Sequence, residues 1–277
     1  NFLEKKLMEV KERYKADSVG GIIMNPADGS IYAMGSKPDF NPNDFSLVED
    51  VAVFRNPLVE NVLEFGSVVK PLVMAAGLDA GVVTSESTYD DRGSVIVEKK
   101  EIFNFDKVGR GPGTTMQTVL NQSLNTGMVF VQQKLGRERL RDYFYSYGIK
   151  EKSGIDLPNE ATGLVSNLNT TREIEYATAA FGQGIAISPV VMIRALATLG
   201  NGGNLVVPHV VKEIKYDTGT SKKIDYPVKR AKIAKETSEE ITRMLVKVMD
   251  EAIASGQAKL EHFSVAVKTG TAQVADS

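Results

Sequence analysis

Cysteine and tryptophan are both absent from the 277 residues, and histidine occurs only twice, at His209 and His262. The lack of cysteine removes disulfides, thiol nucleophiles, iron–sulfur clusters and thiolate zinc sites. Two histidines are too few for a histidine-rich metal centre, so no metal and no cofactor is expected. A Ser–His–Asp triad has only those two candidate bases. His209 follows Val207-Pro208 and reads as a strand or loop residue, and His262 reads as near-surface. Long apolar runs are also missing. The longest uncharged stretches are Gly111–Gln133, rich in Thr, Asn, Gln and Ser, and Tyr176–Ile193, broken by Gly182, Gly184, Ser188 and Pro189. Neither reads as a membrane span. No signal-peptide pattern is visible, so any anchor is expected outside these residues. Neither sign of charge dominates, with 33 basic and 35 acidic side chains and a formal charge of −2. That balance excludes a globally basic surface, and no nucleic-acid partner is expected.

Apolar residues make up 42% of the chain and charged residues 25%, ordinary for a globular protein with a deep core. Leu3, Leu7, Val10 and Tyr14 recur at helical spacing and predict an amphipathic helix over residues 2–16. Val19–Met24 and Ser30–Met34 flank a turn-rich loop and predict a hairpin. Residues 36–64 read as an irregular connection. Ser67–Ala80 is apolar on all faces and stops at Gly81, which predicts a helix buried in the middle of the fold. Residues 85–110 read as an excursion with short β-type runs such as Ser94–Val97. The capping-box pattern at Thr114–Gln117 opens a helix, and Thr126–Leu135 and Arg137–Tyr147 predict two more. Ser188-Pro189 starts another, ending before Gly200. Val206–Lys215 and Lys223–Tyr226 predict strands. A long amphipathic helix is predicted from Thr237 or Ser238 to Ala254, and a strand over Val265–Ala272. Strands towards both ends with helices between predict an α/β (α+β) fold whose sheet joins distant segments.

Three short motifs carry chemistry. In Ser67-Val68-Val69-Lys70 the i, i+3 spacing puts a hydroxyl and an amine on one helix face. Burial and the helix N-terminus both lower a lysine pKa, which suits Lys70 to accept the serine proton. Pro71 requires the helix to begin close to Ser67. Ser123-Leu124-Asn125 falls at a helix junction, where a hydroxyl and an amide two residues apart can face one cleft. In Lys268-Thr269-Gly270-Thr271 the period-2 alternation points Thr269 and Thr271 one way and Lys268 the other. Gly270 leaves room for a ligand backbone, and two hydroxyls beside a lysine suit a carboxylate. Singly, each motif is also what chance, polar capping or an ordinary strand end supplies.

Together and in this order, S-x-x-K and K-T-G form a signature shared by class A β-lactamases and penicillin-binding proteins. The chain resembles the penicillin-binding transpeptidase domain, in particular class B enzymes of the septal, FtsI/SpoVD-like type. Phe65–Pro71, Ser153–Glu160, Phe181-Gly182-Gln183-Gly184 and Lys268–Gln273 all match stretches of that group, and the likeness runs from about residue 19 to 275. It implies a serine β-lactamase/transpeptidase-like fold, an antiparallel sheet flanked by helices with a mostly helical subdomain. It implies one domain over 1–277 that lacks its last strands and terminal helix, with an N-terminal module and membrane anchor elsewhere.

The resemblance also implies roles. Ser67 is the acylated nucleophile, Lys70 its base, and Ser123 with Lys268 the proton path to the leaving D-Ala. Asn125 orients the peptide. The backbone N–H groups of Ser67 and Thr271 form the oxyanion hole. Thr269 and Thr271 hydroxyls, beside Gly270, hold the substrate carboxylate. The implied reaction cross-links peptidoglycan stem peptides, from a D-Ala-D-Ala donor to an amine acceptor, with β-lactam antibiotics trapping Ser67. The implied setting is the extracytoplasmic face of the bacterial cell membrane, beside a membrane glycosyltransferase partner. Two alternatives stay open: a serine β-lactamase and a β-lactam-sensing domain. Against the first, no E-x-x-L-N string occurs, Leu124 stands where such enzymes carry Asp, and Ser123 lies 145 positions before Lys268.

Overall fold

The computed structural model describes residues 2–272, so Gln273 of the last matched stretch lies outside the described residues. The chain opens with α1 (Phe2–Tyr14), whose Leu7 is buried against the hairpin β1 (Val19–Met24) and β2 (Ile31–Lys37). The hairpin is antiparallel, with a register shift after Ile23. Its opposite face sets Ile22, Ile31 and Met34 against a small core of Val59, Ile155 and Val190. Val59 belongs to α2 (Pro57–Glu60), a single turn capped by the Asn56 side chain. The hairpin thus has helices on both faces. Residues between β2 and α2 form 3-10 turns and irregular chain, as their composition predicts.

A second and larger core surrounds α3 (Lys70–Asp79). Leu72, Val73, Met74, Ala75 and Ala76 are 0% exposed, which accounts for an apolar sequence on every face. Each large side chain buried here contributes about 1.5–3 kcal/mol. Beyond α3, the antiparallel pairs β3 (Thr88–Asp91) with β6 (Gly111–Thr115), and β4 (Ser94–Val97) with β5 (Lys100–Phe103), make up the excursion. Next come α4 (Met116–Asn121), α5 (Asn125–Leu135), α6 (Arg137–Ser146), α7 (Glu173–Ala179) and α8 (Pro189–Gly200). The chain continues through β7 (Asn204–Leu205), β8 (Glu213–Lys215), β9 (Ser221–Lys223) and β10 (Lys229–Arg230) to α9 (Lys235–Lys247). Helices α5, α6, α8 and α9 all pack on α3.

Several boundaries differ from expectation, each for a physical reason. The cap of α4 is Thr115, whose hydroxyl accepts from Thr118 N; Gln117 turns inward to Asn121 and to the Met244 carbonyl. Helix α9 begins before Thr237 because a distant carboxylate caps it. Asp79 Oδ1 accepts from Ala234 N at 2.7 Å and from the Thr237 hydroxyl at 2.9 Å. Ser238, the other predicted cap, donates instead to the Leu199 carbonyl. The helix ends at Lys247 in a π turn, Val248–Ala252.

The strand predicted over Val206–Lys215 shrinks to β8. Its first half spends its backbone groups elsewhere: Val206 O accepts from Arg194, and Val210 N and Val211 N donate to Asp156. The predicted strand Lys223–Tyr226 appears as β9, shifted towards the turn. Val265–Ala272 is not a strand among the described residues. It forms no ladder with any described segment, and Val267 N donates to Leu245 O at 3.2 Å.

Candidate active site

Ser67 lies in a 3-10 turn, Gly66–Val69, that feeds directly into α3. Pro71 occupies the first turn, where a missing N–H costs nothing. Ser67 is half-buried, whereas Lys70 is 0% exposed. The i, i+3 spacing allows a Ser67–Lys70 hydrogen bond, but none is made among the described residues. Lys70 Nζ is taken by the second motif: it bonds the Ser123 carbonyl, the Ser123 hydroxyl at 3.2 Å and Asn125 Oδ1 at 2.8 Å.

Ser123 ends the short turn between α4 and α5 with φ of 55°, the left-handed region that a serine enters at a cost of about 1–2 kcal/mol. That conformation lets one residue present both its carbonyl and its hydroxyl to Lys70. Asn125 is the first residue of α5. Its Nδ2 donates to the Phe103 carbonyl at 2.8 Å, leaving Oδ1 for Lys70. Lys268 approaches from the other side and donates to Ser123 Oγ and to Thr269 O, both at 2.9 Å. Ser123 Oγ therefore stands between two amines.

Those amines are electrostatically unusual. Burial, and secondarily the nearby Lys268, hold Lys70 well below the ordinary lysine pKa. Burial alone lowers Lys268 to about 8. Two lysines sharing one hydroxyl in a partly dry site cannot comfortably both stay charged. The site therefore makes a neutral amine easier to reach than it is for a solvated lysine.

Three glycines bring the motifs together. A Cβ at Gly66 would strike the Thr271 carbonyl, one at Gly182 would strike the Gly66 carbonyl, and one at Gly270 would lie 2.8 Å from the Phe65 carbonyl. Gly66 N also donates to Gly182 O at 3.2 Å, and Gly184 N donates to Glu64 Oε1 at 2.9 Å. The Lys268–Thr271 segment thus lies against the backbone of the Ser67 turn. Thr269, Gly270 and Thr271 are exposed, and neither threonine hydroxyl has a partner among the described residues. They are open to a ligand.

All the residues expected from sequence fall at this one site. Sequence reading missed the Phe103 carbonyl that orients Asn125, and the bracing roles of Glu64 and Gly182. A backbone carbonyl leaves no trace in a sequence; Gly182 was visible only as part of a matched stretch. The histidines lie elsewhere. His209 stacks on Tyr226 at 3.9 Å, and His262 is exposed beside Glu261. Among the described residues no group of three acidic or histidine side chains could hold a metal, and no helix is long and apolar enough to cross a membrane.

Mixed helices and antiparallel pairs thus surround a serine, two lysines and a K-T-G segment. Residues 19–277 match the penicillin binding protein transpeptidase domain, and the chain belongs to that family. Stage V sporulation protein D of Bacillus subtilis is 34% identical over 98% of this chain and 42% of its own length. Peptidoglycan D,D-transpeptidase FtsI of Escherichia coli is 28% identical over 94% of this chain and 42% of its own. The chain thus spans about two-fifths of these relatives. Among solved structures, apo penicillin binding protein 3 of Mycobacterium tuberculosis superposes with a TM-score of 0.83 at 22% identity, covering 90% of this chain and 56% of that one. Its complex with aztreonam gives 0.82. These two structures share the fold: the transpeptidase architecture expected from sequence.

Proposed function

We propose that this chain is the catalytic part of a peptidoglycan D,D-transpeptidase that works through an acyl-enzyme on Ser67. The observation that carries the reading is Ser123 Oγ held between Lys70 Nζ and Lys268 Nζ, next to the turn that presents Ser67. Ser67 Oγ attacks the carbonyl of the penultimate D-Ala of a stem peptide, and its proton passes to neutral Lys70. The Ser67–Lys70 contact closes when substrate enters, since catalytic hydrogen bonds commonly tighten only in the complex. The developing oxyanion sits between the N–H groups of Ser67 and Thr271, and such donors are worth about 2.7–4 kcal/mol each. Collapse breaks the peptide C–N bond. The leaving D-Ala nitrogen receives the proton from Lys70 through Ser123 Oγ, with Lys268 completing the path. Thr269 and Thr271 hydroxyls, with Gly270 between them, receive the terminal carboxylate. Attack of a second stem's amine on the acyl-enzyme then forms the cross-link and frees Ser67.

A β-lactam acylates Ser67 in the same way, but its amine stays tethered and the acyl-enzyme persists. No carboxylate is hydrogen-bonded or ion-paired to Ser67, Lys70, Ser123, Asn125 or Lys268 among the described residues. This favours a long-lived adduct over β-lactamase turnover, because no described carboxylate stands there as a general base for water. The relatives named for peptidoglycan transpeptidation and for sporulation support a peptidoglycan substrate. On the same reading the protein works at the extracytoplasmic face of the membrane, beside a membrane glycosyltransferase.

Intact-protein mass spectrometry after incubation with a penicillin tests this. One stable adduct is expected on the chain and none on Ser67→Ala. Transfer of a donor peptide to an amine acceptor separates the transpeptidase from a sensor. Penicillin consumed without a lasting adduct would establish the β-lactamase instead.

A further inference from the structure

The excursion between β3 and β6 ends in a buried polar cluster directly behind Asn125. Asp91, the last residue of β3, is 1% exposed. Its carboxylate accepts from Gly93 N at 3.1 Å, from Asn104 Nδ2 at 3.0 Å to each oxygen, from Arg110 N at 3.1 Å and from the Thr126 hydroxyl at 2.8 Å. Asn104, itself buried, accepts from Thr126 N at 3.2 Å, and the Thr126 hydroxyl lies 3.0 Å from the same oxygen. The Tyr89 phenol completes the group at 2.9 Å from Thr126 Oγ1. Burial pushes that phenol's pKa up, so it stays protonated and donates.

None of Asp91, Asn104 and Thr126 makes a hydrogen bond to Ser67, Lys70, Ser123 or Lys268 among the described residues. Their effect emerges on the two sides of Asn125. Thr126 is the next residue along α5. Phe103 immediately precedes Asn104, and its carbonyl receives Asn125 Nδ2. An amide side chain can turn over and exchange its oxygen and nitrogen. With the Phe103 carbonyl fixed, only one orientation satisfies both neighbours: nitrogen to Phe103 and oxygen to Lys70. If that carbonyl moves, the amide can offer Lys70 a donor in place of an acceptor, and the amine loses one of its fixed partners. A fully satisfied buried network holds such an arrangement firmly, and a half-satisfied one does not.

We propose that Asp91 and Asn104 are positioning residues for acyl transfer: they lock Phe103 and Thr126 on either side of Asn125, so that its amide oxygen holds Lys70 in place. The proposal rests on the acyl-enzyme reading of Ser67 and deepens it. A cluster that merely tied down the excursion would affect stability without acting through Asn125.

The test measures the second-order rate of acylation by a fluorescent penicillin, with a melting curve for each protein. The proteins are wild type, Asn104→Ala, Asn125→Ala and the double variant. Asn104→Ala is expected to slow acylation by about 10–100-fold, since misplacing a reacting group by about 1 Å costs up to roughly 10²-fold. In the Asn125→Ala background the same change is expected to slow it less than twofold, because the two act as one unit. A folded Asn104→Ala with the wild-type rate overturns the proposal, as do equal fold-losses in both backgrounds. Should Asn104→Ala fail to fold, Thr126→Val and Thr126→Ser carry the comparison. The valine variant should be slow and the serine variant, which keeps the hydroxyl, close to wild type; equal rates overturn the proposal. A wild-type protein that takes no penicillin on Ser67 overturns the acyl-enzyme reading itself, and the positioning role with it.

Discussion

Gly182→Ala isolates the packing that sets the nucleophile in place. Gly182 has φ of +82°, and a Cβ there would strike the Gly66 carbonyl oxygen and lie 2.7 Å from its carbon. Ordinary contact begins at 3.4 Å, so the Gly66 carbonyl carbon must retreat by at least about 0.7 Å, and its oxygen, which is nearer, by more. The atom that moves is one bond short of Ser67 N, a predicted oxyanion donor. Misplacing a reacting group by about 1 Å costs roughly 10²-fold in rate. Acylation of Gly182→Ala by a fluorescent penicillin should therefore fall about 30–100-fold. Stability should fall too, by about 1–2 kcal/mol for the left-handed alanine and about 1–3 kcal/mol for the forced contact. Gly81→Ala is the control. Its φ is +65°, but no atom lies within 4 Å of its Cβ position, and it sits at the far end of the helix that begins at Lys70. It should lose about 1 kcal/mol, a melting shift of roughly 2–4 °C, with acylation unchanged. Folded Gly182→Ala acylating within threefold of wild type, or Gly81→Ala slowed as much, would rule out this role for Gly182.

Other outcomes follow from the same geometry. Lys268 titrates near 8 in the folded chain against about 10.4 when unfolded, so the unfolded state holds more protons between those values. The cost of burying the charge is complete below pH 8 and fades as pH rises through that window. Lys268→Met lacks this cost, so its urea-midpoint advantage over wild type should shrink between pH 8 and pH 10; a constant difference would contradict the lowered pKa. Asp79→Ala strips the cap from α9 and orphans Tyr143, whose hydroxyl donates to Asp79 Oδ2 at 2.7 Å. A loss of about 2–3 kcal/mol is expected, read as a melting shift of roughly 4–12 °C, while Tyr143→Phe should lose only about 1 kcal/mol. Glu64→Ala removes the acceptor for Gly184 N and should slow acylation, with Glu64→Gln recovering most of the rate because its side-chain oxygen still accepts.

Much of this protein was settled by local sequence. The apolar run after Lys70 could only be a buried helix, Pro71 fixed its start near Ser67, and Ser188-Pro189 placed the start of α8 to the residue. The spacing within S-x-x-K, S-L-N and K-T-G-T named the serines, lysines, Asn125 and threonines that the fold places together, because each motif is local and its chemistry lies in its side chains. Tertiary structure decided what those groups face. Lys70 turns to Ser123 and Asn125, not to the serine three residues before it, because its acceptors come from 53 and 55 residues away. Asp79 caps a helix 155 residues downstream, so the sequence around Thr237 misplaced that helix's start. The Val265–Ala272 stretch has the alternation of a strand but no described neighbour to pair with, and alternation alone makes no ladder. The depressed pKa of Lys268, the carbonyl that orients Asn125 and the buried Asp91 cluster depend on desolvation and on backbone acceptors from distant segments. Sequence spacing carries no record of either, since both arise only when the chain is folded on itself.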